Sequence, residues 1–216
     1  MNEYVSIYDP RVVRIEIVEN DEPLVDIRSC REIVVSTKRS SQNPQFFYVR
    51  ETVRDKLVRA AARLPRDVLF LFEEGLRPLS VQRKIFDDYR AKILAANPQL
   101  TESELHNEVT KYVAPPYNTP PHSTGAAIDV SLIKNGQELD MGSTSDETPD
   151  ENESRGFTHA KNISDNARQN RNILIEALSQ EGFANYETEW WHWSYGDRYW
   201  AHCMRQDFAS YGERVQ

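Results

Sequence analysis

Glycine is scarce in this chain. Its 216 residues include 8 glycines, about half the usual share, so fewer of them are filler. Cysteine is scarcer: Cys30 and Cys203 are the only two. That is too few for a disulfide framework or a Cys-rich zinc module, and they read as two reduced thiols. Long apolar runs are missing, and no stretch approaches the ~18 residues of a membrane span. Runs of Lys and Arg are missing too. With 26 Lys+Arg against 34 Asp+Glu the formal net charge is -8. A phosphate backbone would find little attraction, so neither nucleic acid nor a membrane is an expected partner. The start, MNEYVSIYDP, has no apolar core and no basic residue before Arg11. It does not read as a secretory signal, and the expected compartment is the cytoplasm. The length fits one domain, expected over 1–216.

What is present alternates between strand and helix patterns. Val12–Val18, Leu24–Ile27 and Ile33–Val35 read as short strands. Val53, Leu57, Ala60, Ala61 and Leu64 fall at helical spacing before Pro65, where a helix often ends. Val68–Phe72 is an apolar run short enough for a buried strand, stopping at a Glu73–Pro78 turn. Ser80 is placed to open a helix, and Thr101-x-x-Glu104 is a capping box for another. Residues 114–121 then hold four prolines in eight residues, a stiff loop without regular structure. Ile128–Leu132 alternates apolar and polar residues, and Asn135-Gly136 predicts a hairpin with Glu138–Met141 returning. Residues 138–153 carry seven acidic residues and no Lys or Arg, the mark of a solvated loop. Ser164 or Asp165 caps a helix that Gly182 stops; Phe183–Tyr186 and Glu189–Ser194 read as a last strand pair, with one further helix after Gly196. The expected class is α+β: helices packed around a small, mainly antiparallel sheet, with a metal site at one face of it.

Three segments carry chemistry: Leu76-Arg77-Pro78, Pro120-x-His122-x-x-Gly125-x-Ala127-x-Asp129, and Glu189-Trp190-Trp191-His192. Two imidazoles, His122 and His192, with the Asp129 carboxylate form a set that binds zinc and leaves a fourth position for water. Asp129 lies on the polar face of its strand, so it can point into a cleft. Glu189, three residues before His192, is a candidate general base and acid. A regular strand would put those two side chains on opposite faces, so a bend is expected between them. Trp190, Trp191 and Trp193 are expected to wall off bulk water. Arg77, on a turn after a buried strand, can steady a developing oxyanion. Each residue alone is more simply a surface or core residue; the combined spacing points to a site.

These segments resemble the zinc D-alanyl-D-alanine dipeptidases, the group that includes the vancomycin-resistance enzyme, within a wider set of zinc D,D- and L,D-peptidases. Asp140-Met141-Gly142-Ser143-x-x-Asp146 and Asn170-Arg171…Gly182-Phe183 are similar to the dipeptidase branch. The resemblance implies one Zn2+ per chain on His122, Asp129 and His192, with Glu189 as base and acid and Arg77 on the tetrahedral intermediate. It implies that Asp146 receives the free amino group of a small dipeptide substrate. The sequence departs from the pattern at Pro120, where the family has serine, at Leu76, where it has an aromatic, and at Thr144-Ser145 before Asp146. These departures lie where the substrate's ends would sit. Two rival readings go with the resemblance. One is a zinc D,D- or L,D-carboxypeptidase acting on longer cell-wall peptides. The other is a non-catalytic zinc-stabilised binding module, which needs a fourth protein ligand such as Cys30 or Cys203.

Overall fold

The computed structural model describes residues 4–40, 43–110, 112–145, 147 and 153–214. The first departure from the sequence reading comes early. Asp9 accepts a hydrogen bond from Arg11 N through its side chain and Pro10 follows it, so helix α1 (Pro10–Val13) opens inside the stretch expected to be extended. A capping Asp and a Pro at the first helical position outweigh a run of valines. Only β1 (Glu16–Ile17) of that stretch is strand. Strands β2 (Leu24–Asp26) and β3 (Ile33–Val35) fall where expected, followed by α2 (Thr37–Ser40), β4 (Tyr48–Arg50) and α3 (Glu51–Ala61).

Helix α3 buries Val53, Leu57 and Ala60, the stripe its spacing predicts. Leu57 is fully buried, and Leu57→Ala would cost about 2–5 kcal/mol in lost transfer energy and cavity. Strand β5 (Val68–Glu74) is longer than its apolar run. It continues through Glu73 and Glu74, with a register shift between Phe72 and Glu74 against its neighbour. Then come α4 (Leu79–Ala96) and α5 (Glu102–Thr110). The expected capping box opens α5: Thr101 N donates to Glu104 Oε2 at 2.9 Å and Glu104 N to Thr101 Oγ1 at 3.3 Å.

Strand β6 (Ala127–Lys134) turns at Asn135-Gly136 into β7 (Gln137–Glu138). Both turn residues have positive φ, 52° and 77°, as this two-residue turn demands. The return strand is two residues long rather than four. Helix α6 (Asp165–Ser179) is capped by Ser164, whose Oγ accepts from Ala167 N. Strands β8 (Ala184–Asn185) and β9 (His192–Ser194), helix α7 (Arg198–Cys203) and strand β10 (Phe208–Ala209) complete the order.

Among the described residues the main sheet runs β3-β5-β6-β9-β8, with β7 also on β6. Only the β3–β5 pairing is parallel, so the α+β class with a mainly antiparallel sheet holds. Ile128, Val130 and Leu132 on one face of β6 join the core with Val53, Leu57 and, from α6, Leu174 and Leu178. The other face of β6 carries Asp129 and Ser131, each also 4% exposed. A strand whose second face is both polar and buried lines a site.

The two ends of the chain meet. β1 pairs in parallel with β10, and the fully buried Arg50 ties them to the turn that carries His122. Its Nε donates to Thr124 O at 2.7 Å, Nη1 to Glu19 Oε1 at 2.9 Å and Nη2 to Gly212 O at 3.1 Å. No helix among the described residues is long and apolar enough to cross a membrane.

Candidate metal centre

The centre lies where three strands run side by side. Asp129 on β6 pairs in register with His192 on β9 and, on its other side, with Glu74 on β5. His122 comes from a one-turn 3-10 helix, Pro121–Thr124, that follows the proline-rich stretch. Gly125 ends this turn at φ 70°, and a Cβ there would meet Leu24 Cδ2 at 2.5 Å. Only glycine makes that reversal into β6 without strain.

The three predicted side chains converge. His192 Nδ1 lies 3.1 Å from Asp129 Oδ1 and 3.1 Å from His122 Nε2, and His122 Nε2 lies 3.3 Å from Asp129 Oδ1. Ligand atoms at ~2.0–2.1 Å from a tetrahedral zinc stand roughly 3.3 Å apart, so this triangle fits the ion. No other His, Cys, Asp or Glu joins the cluster among the described residues, and both cysteines are free. The fourth ligand needed for a closed structural site is therefore not supplied by Cys30 or Cys203.

The imidazoles are aimed by their surroundings. His122 Nδ1 donates to Gly75 O at 2.8 Å, which leaves Nε2 for the cluster. Gly75 itself has no room for a side chain: a Cβ would meet Tyr48 O at 2.6 Å. His192 turns Nδ1 to the cluster, with Tyr186 packed edge-on against its ring at 6.0 Å. Burial alone would raise the pKa of Asp129, but the two imidazoles outweigh it and hold the carboxyl well below its usual range. For His192 burial pulls the pKa down, while the bond and charge of Asp129 bring it above the ordinary value. Asp129 is thus anionic, and a divalent cation binds it together with the two imidazoles once these have given up their protons.

Glu189 sits across the opening. The expected bend is present: Glu189 N donates to Tyr186 O at 2.8 Å and His192 N donates to Glu189 O at 3.1 Å, a tight turn leading into β9. Glu189 Oε2 thereby lies 4.0 Å from His192 Nδ1, with 37% of its side chain exposed to the opening. Loss of solvent around the carboxyl raises its pKa; His192 opposes this and Asp129 reinforces it.

Arg77 is held by groups that sequence reasoning did not single out. Its Nε and Nη2 donate to the two oxygens of Glu74 at 2.6 and 2.9 Å, and its Nη1 to Gln82 Oε1 at 2.9 Å. Gln82 in turn donates to Ala114 O at 2.8 Å. Burial works against the charge of Arg77, but Glu74, Asp129 and Glu189 raise its pKa. A turn is expected from Glu73 onward, where the apolar run stops; Glu74 is instead fully buried at the end of β5. Burial lifts the phenol pKa of Tyr8 well above the usual value, and the charges of Tyr186 and Glu189 add to this. Nothing in the pattern of the first twenty residues singled it out.

Beside the cluster opens a cavity of about 310 Å3, lined by Glu73, Ser131, Met141, Ser143, Ser145 and Trp190 among others. Ser131 lies two residues beyond Asp129 on the same face of β6, so the cavity lies further along the sheet; none of His122, Asp129, His192, Glu189 or Arg77 lines it. Trp190 Nε1 donates to Ser143 Oγ at 3.0 Å and Ser145 Oγ donates to Glu73 Oε2. Trp190, Trp191 and Trp193 are all buried. Asp146 lies outside the described residues.

Two imidazoles and one carboxylate, with a glutamate beside them, are a set that suits a single zinc ion and leaves it an open position. The chain belongs to the peptidase M15 family, described as D-Ala-D-Ala dipeptidase, whose profile matches residues 27–211. It is 31% identical to the D-alanyl-D-alanine dipeptidase of a Synechocystis species over 164 residues, 64% of this chain and 66% of that protein. It is 34% identical to the D-alanyl-D-alanine dipeptidase of Enterococcus faecalis over 99 residues, 44% of each chain. The match thus spans just under two thirds of the first relative and less than half of the second. Among solved structures, VanYB in complex with D-alanine-D-alanine aligns with 74% of this chain and 79% of its own, at 18% identity and a TM-score of 0.43.

Proposed function

We propose that this chain is a zinc metallopeptidase that hydrolyses D-alanyl-D-alanine or a related D-amino-acid dipeptide to free amino acids. The observation that carries this reading is the triangle of His122, Asp129 and His192 donor atoms at 3.1–3.3 Å with Glu189 across it, 4.0 Å from His192 Nδ1. In this reading those three side chains hold one zinc ion per chain. Bound there, zinc polarises the scissile carbonyl and lowers the pKa of water toward ~7.

The chain's own residues do the rest. Glu189 takes the proton of the attacking water and returns it to the departing amine. Arg77, fixed by Glu74 and Gln82, stabilises the oxyanion. The cavity beside Trp190 receives the amino end of the substrate; the dipeptidase resemblance gives Asp146 the part of its counter-charge. A loop carrying seven acidic residues over 138–153 favours an ammonium there. One catalytic domain spans 1–216, working on a small dipeptide in the cytoplasm, a compartment that suits two free cysteines.

The test is a panel of alanyl-alanine dipeptides of all four chiralities, with tripeptides and pentapeptides alongside, incubated with zinc-loaded protein. Cleavage restricted to D,D dipeptides is the expected result. Cleavage of the longer peptides in preference would move the reading to a carboxypeptidase. No cleavage of any peptide by a protein that holds one zinc would overturn it.

A further inference from the structure

A histidine that binds a metal through one ring nitrogen almost always donates its other N–H to an acceptor that fixes tautomer and ring angle. His122 has such an acceptor in Gly75 O, at 2.8 Å. His192 does not. Its Nδ1 faces Asp129 and His122, while its Nε2 is buried without a hydrogen-bond partner. Another buried atom at this end of the sheet is in the same condition: Asp197 Oδ2. Both side chains are almost fully enclosed, His192 at 5% and Asp197 at 2% exposure. An unpaired buried N–H and an unpaired buried carboxylate oxygen each carry a desolvation cost, and they are complementary.

Asp197 is itself rigidly placed. Its Oδ1 accepts from Ser194 Oγ at 3.0 Å and from Trp200 N at 2.7 Å, capping α7. Ser194 belongs to the same strand as His192. Beside Asp197 lies a cavity of about 10 Å3, bounded by Pro121 and Thr124 of the His122 turn and by Tyr199. That is roughly the room one bridging water needs. Tyr199 stacks edge-on against Tyr186 at 5.2 Å, which packs on His192 at 6.0 Å.

We propose that Asp197 is the positioning residue for His192: through one bridging water its Oδ2 receives the Nε2–H of the imidazole and so presents Nδ1 to the metal, as Gly75 O presents Nε2 of His122. The inference rests on the zinc reading above. Asp197 touches neither metal nor substrate; it acts through His192.

The test uses Asp197→Asn in the full chain. Asparagine still caps α7 through its Oδ1 but puts an amide donor where Oδ2 stood. Zinc affinity is measured by competition with a chelator, below the melting temperature of both metal-free proteins. The expected result is a loss of about 10–100-fold with little change in metal-free stability. Nitrogen-15 spectra of the wild-type imidazoles supply a second readout: His192 Nε2 carries a proton that exchanges slowly, and the exchange quickens in the variant. If Asp197→Asn does not fold, Asp197→Ser keeps the cap and removes Oδ2, and the same outcomes apply. Zinc affinity within twofold of wild type in the folded variant, or a proton-free Nε2 in the wild type, overturns the assignment. A wild-type chain that binds no zinc overturns both this inference and the proposed function; tight wild-type binding with an indifferent variant overturns this one alone.

Discussion

The two ends of the cleft are built differently. At the cluster end, Asp129 and His192 sit opposite each other on paired strands, and His122 is held by a backbone carbonyl. Behind them the paired Glu74 aims Arg77. At the cavity end, one wall is a loop held by side chains from elsewhere: Trp190 on Ser143, Glu73 under Ser145, Asn170 Nδ2 on Asp140 O and Arg171 Nε on Met141 O. The first end is rigid because a strand ladder and buried charges determine it together. The second can change a wall residue without disturbing a strand. Chemistry that needs donor atoms placed to a few tenths of an ångström belongs on strands; choice of substrate can be left to a loop. Two of the departures from the dipeptidase pattern, Leu76 and Pro120, flank the cluster without supplying any of its donor atoms, and the third precedes Asp146 in the loop.

Substitutions can break or sharpen that contrast. The largest effect is expected at the cluster end. Glu189→Gln should lower kcat by about 10²–10⁴ while the protein still holds one zinc, checked by metal analysis beside the assay. His122→Ala should lose the zinc itself, and an unchanged metal content would remove His122 from the ligand set. Arg77→Lys should lower kcat by roughly 10²–10³, because an ammonium cannot reproduce the two-pronged bond to Glu74.

Glu74→Gln probes the same pair from behind. Glu74 is fully buried, so leaving Arg77 without its carboxylate should cost about 3–5 kcal/mol, read from denaturant unfolding. At the cavity end the expected effects are smaller and of another kind. Ser143→Ala removes the partner of Trp190 Nε1 and should raise KM by tenfold or less, about 1 kcal/mol for one neutral hydrogen bond, with kcat little changed. A kcat loss equal to that of Arg77→Lys would erase the distinction between the two ends.

The smallest effect is expected far from the cleft. Glu181 accepts from Arg59 at 2.8 Å and from Arg63 at 2.8 Å. The Arg59 bond foremost, helped by Arg63, holds its pKa below the ordinary carboxylate value. A folded pKa below the unfolded one means the stability is complete above the unfolded value, about 4.3. It is lost as pH falls through the folded value. Glu181→Gln should therefore lower stability at pH 7 by about 1 kcal/mol or less and flatten the acid limb of the stability profile. An acid limb identical to wild type would exclude Glu181 as a contributor.

The sequence made the cluster legible because its signals are local. His122, Gly125 and Asp129 fall within eight residues, and the Pro-rich stretch, the Asn-Gly turn and the Thr101 box each announce their own geometry. The bend between Glu189 and His192 followed from period-two alternation: two side chains needed on one side cannot sit three apart in a regular strand. The valines of 12–18 misled because Asp9 and Pro10, just upstream, start a helix. Glu74 and Gln82 stayed hidden because their importance lies in what they touch, the guanidinium of Arg77.

Residue order alone thus determined the periodicities and the caps, which depend on neighbours a few positions away, and marked three candidate donors by their combined pattern. Only the tertiary structure decided that Asp129 and His192 face each other across a register, that Arg50 clamps both chain ends onto the His122 turn, and that Asp197 Oδ2 and His192 Nε2 are both buried without a partner. Those facts depend on contacts between residues far apart in the chain, and such contacts leave no mark in a local pattern, because close packing and desolvation act on whatever the fold brings together.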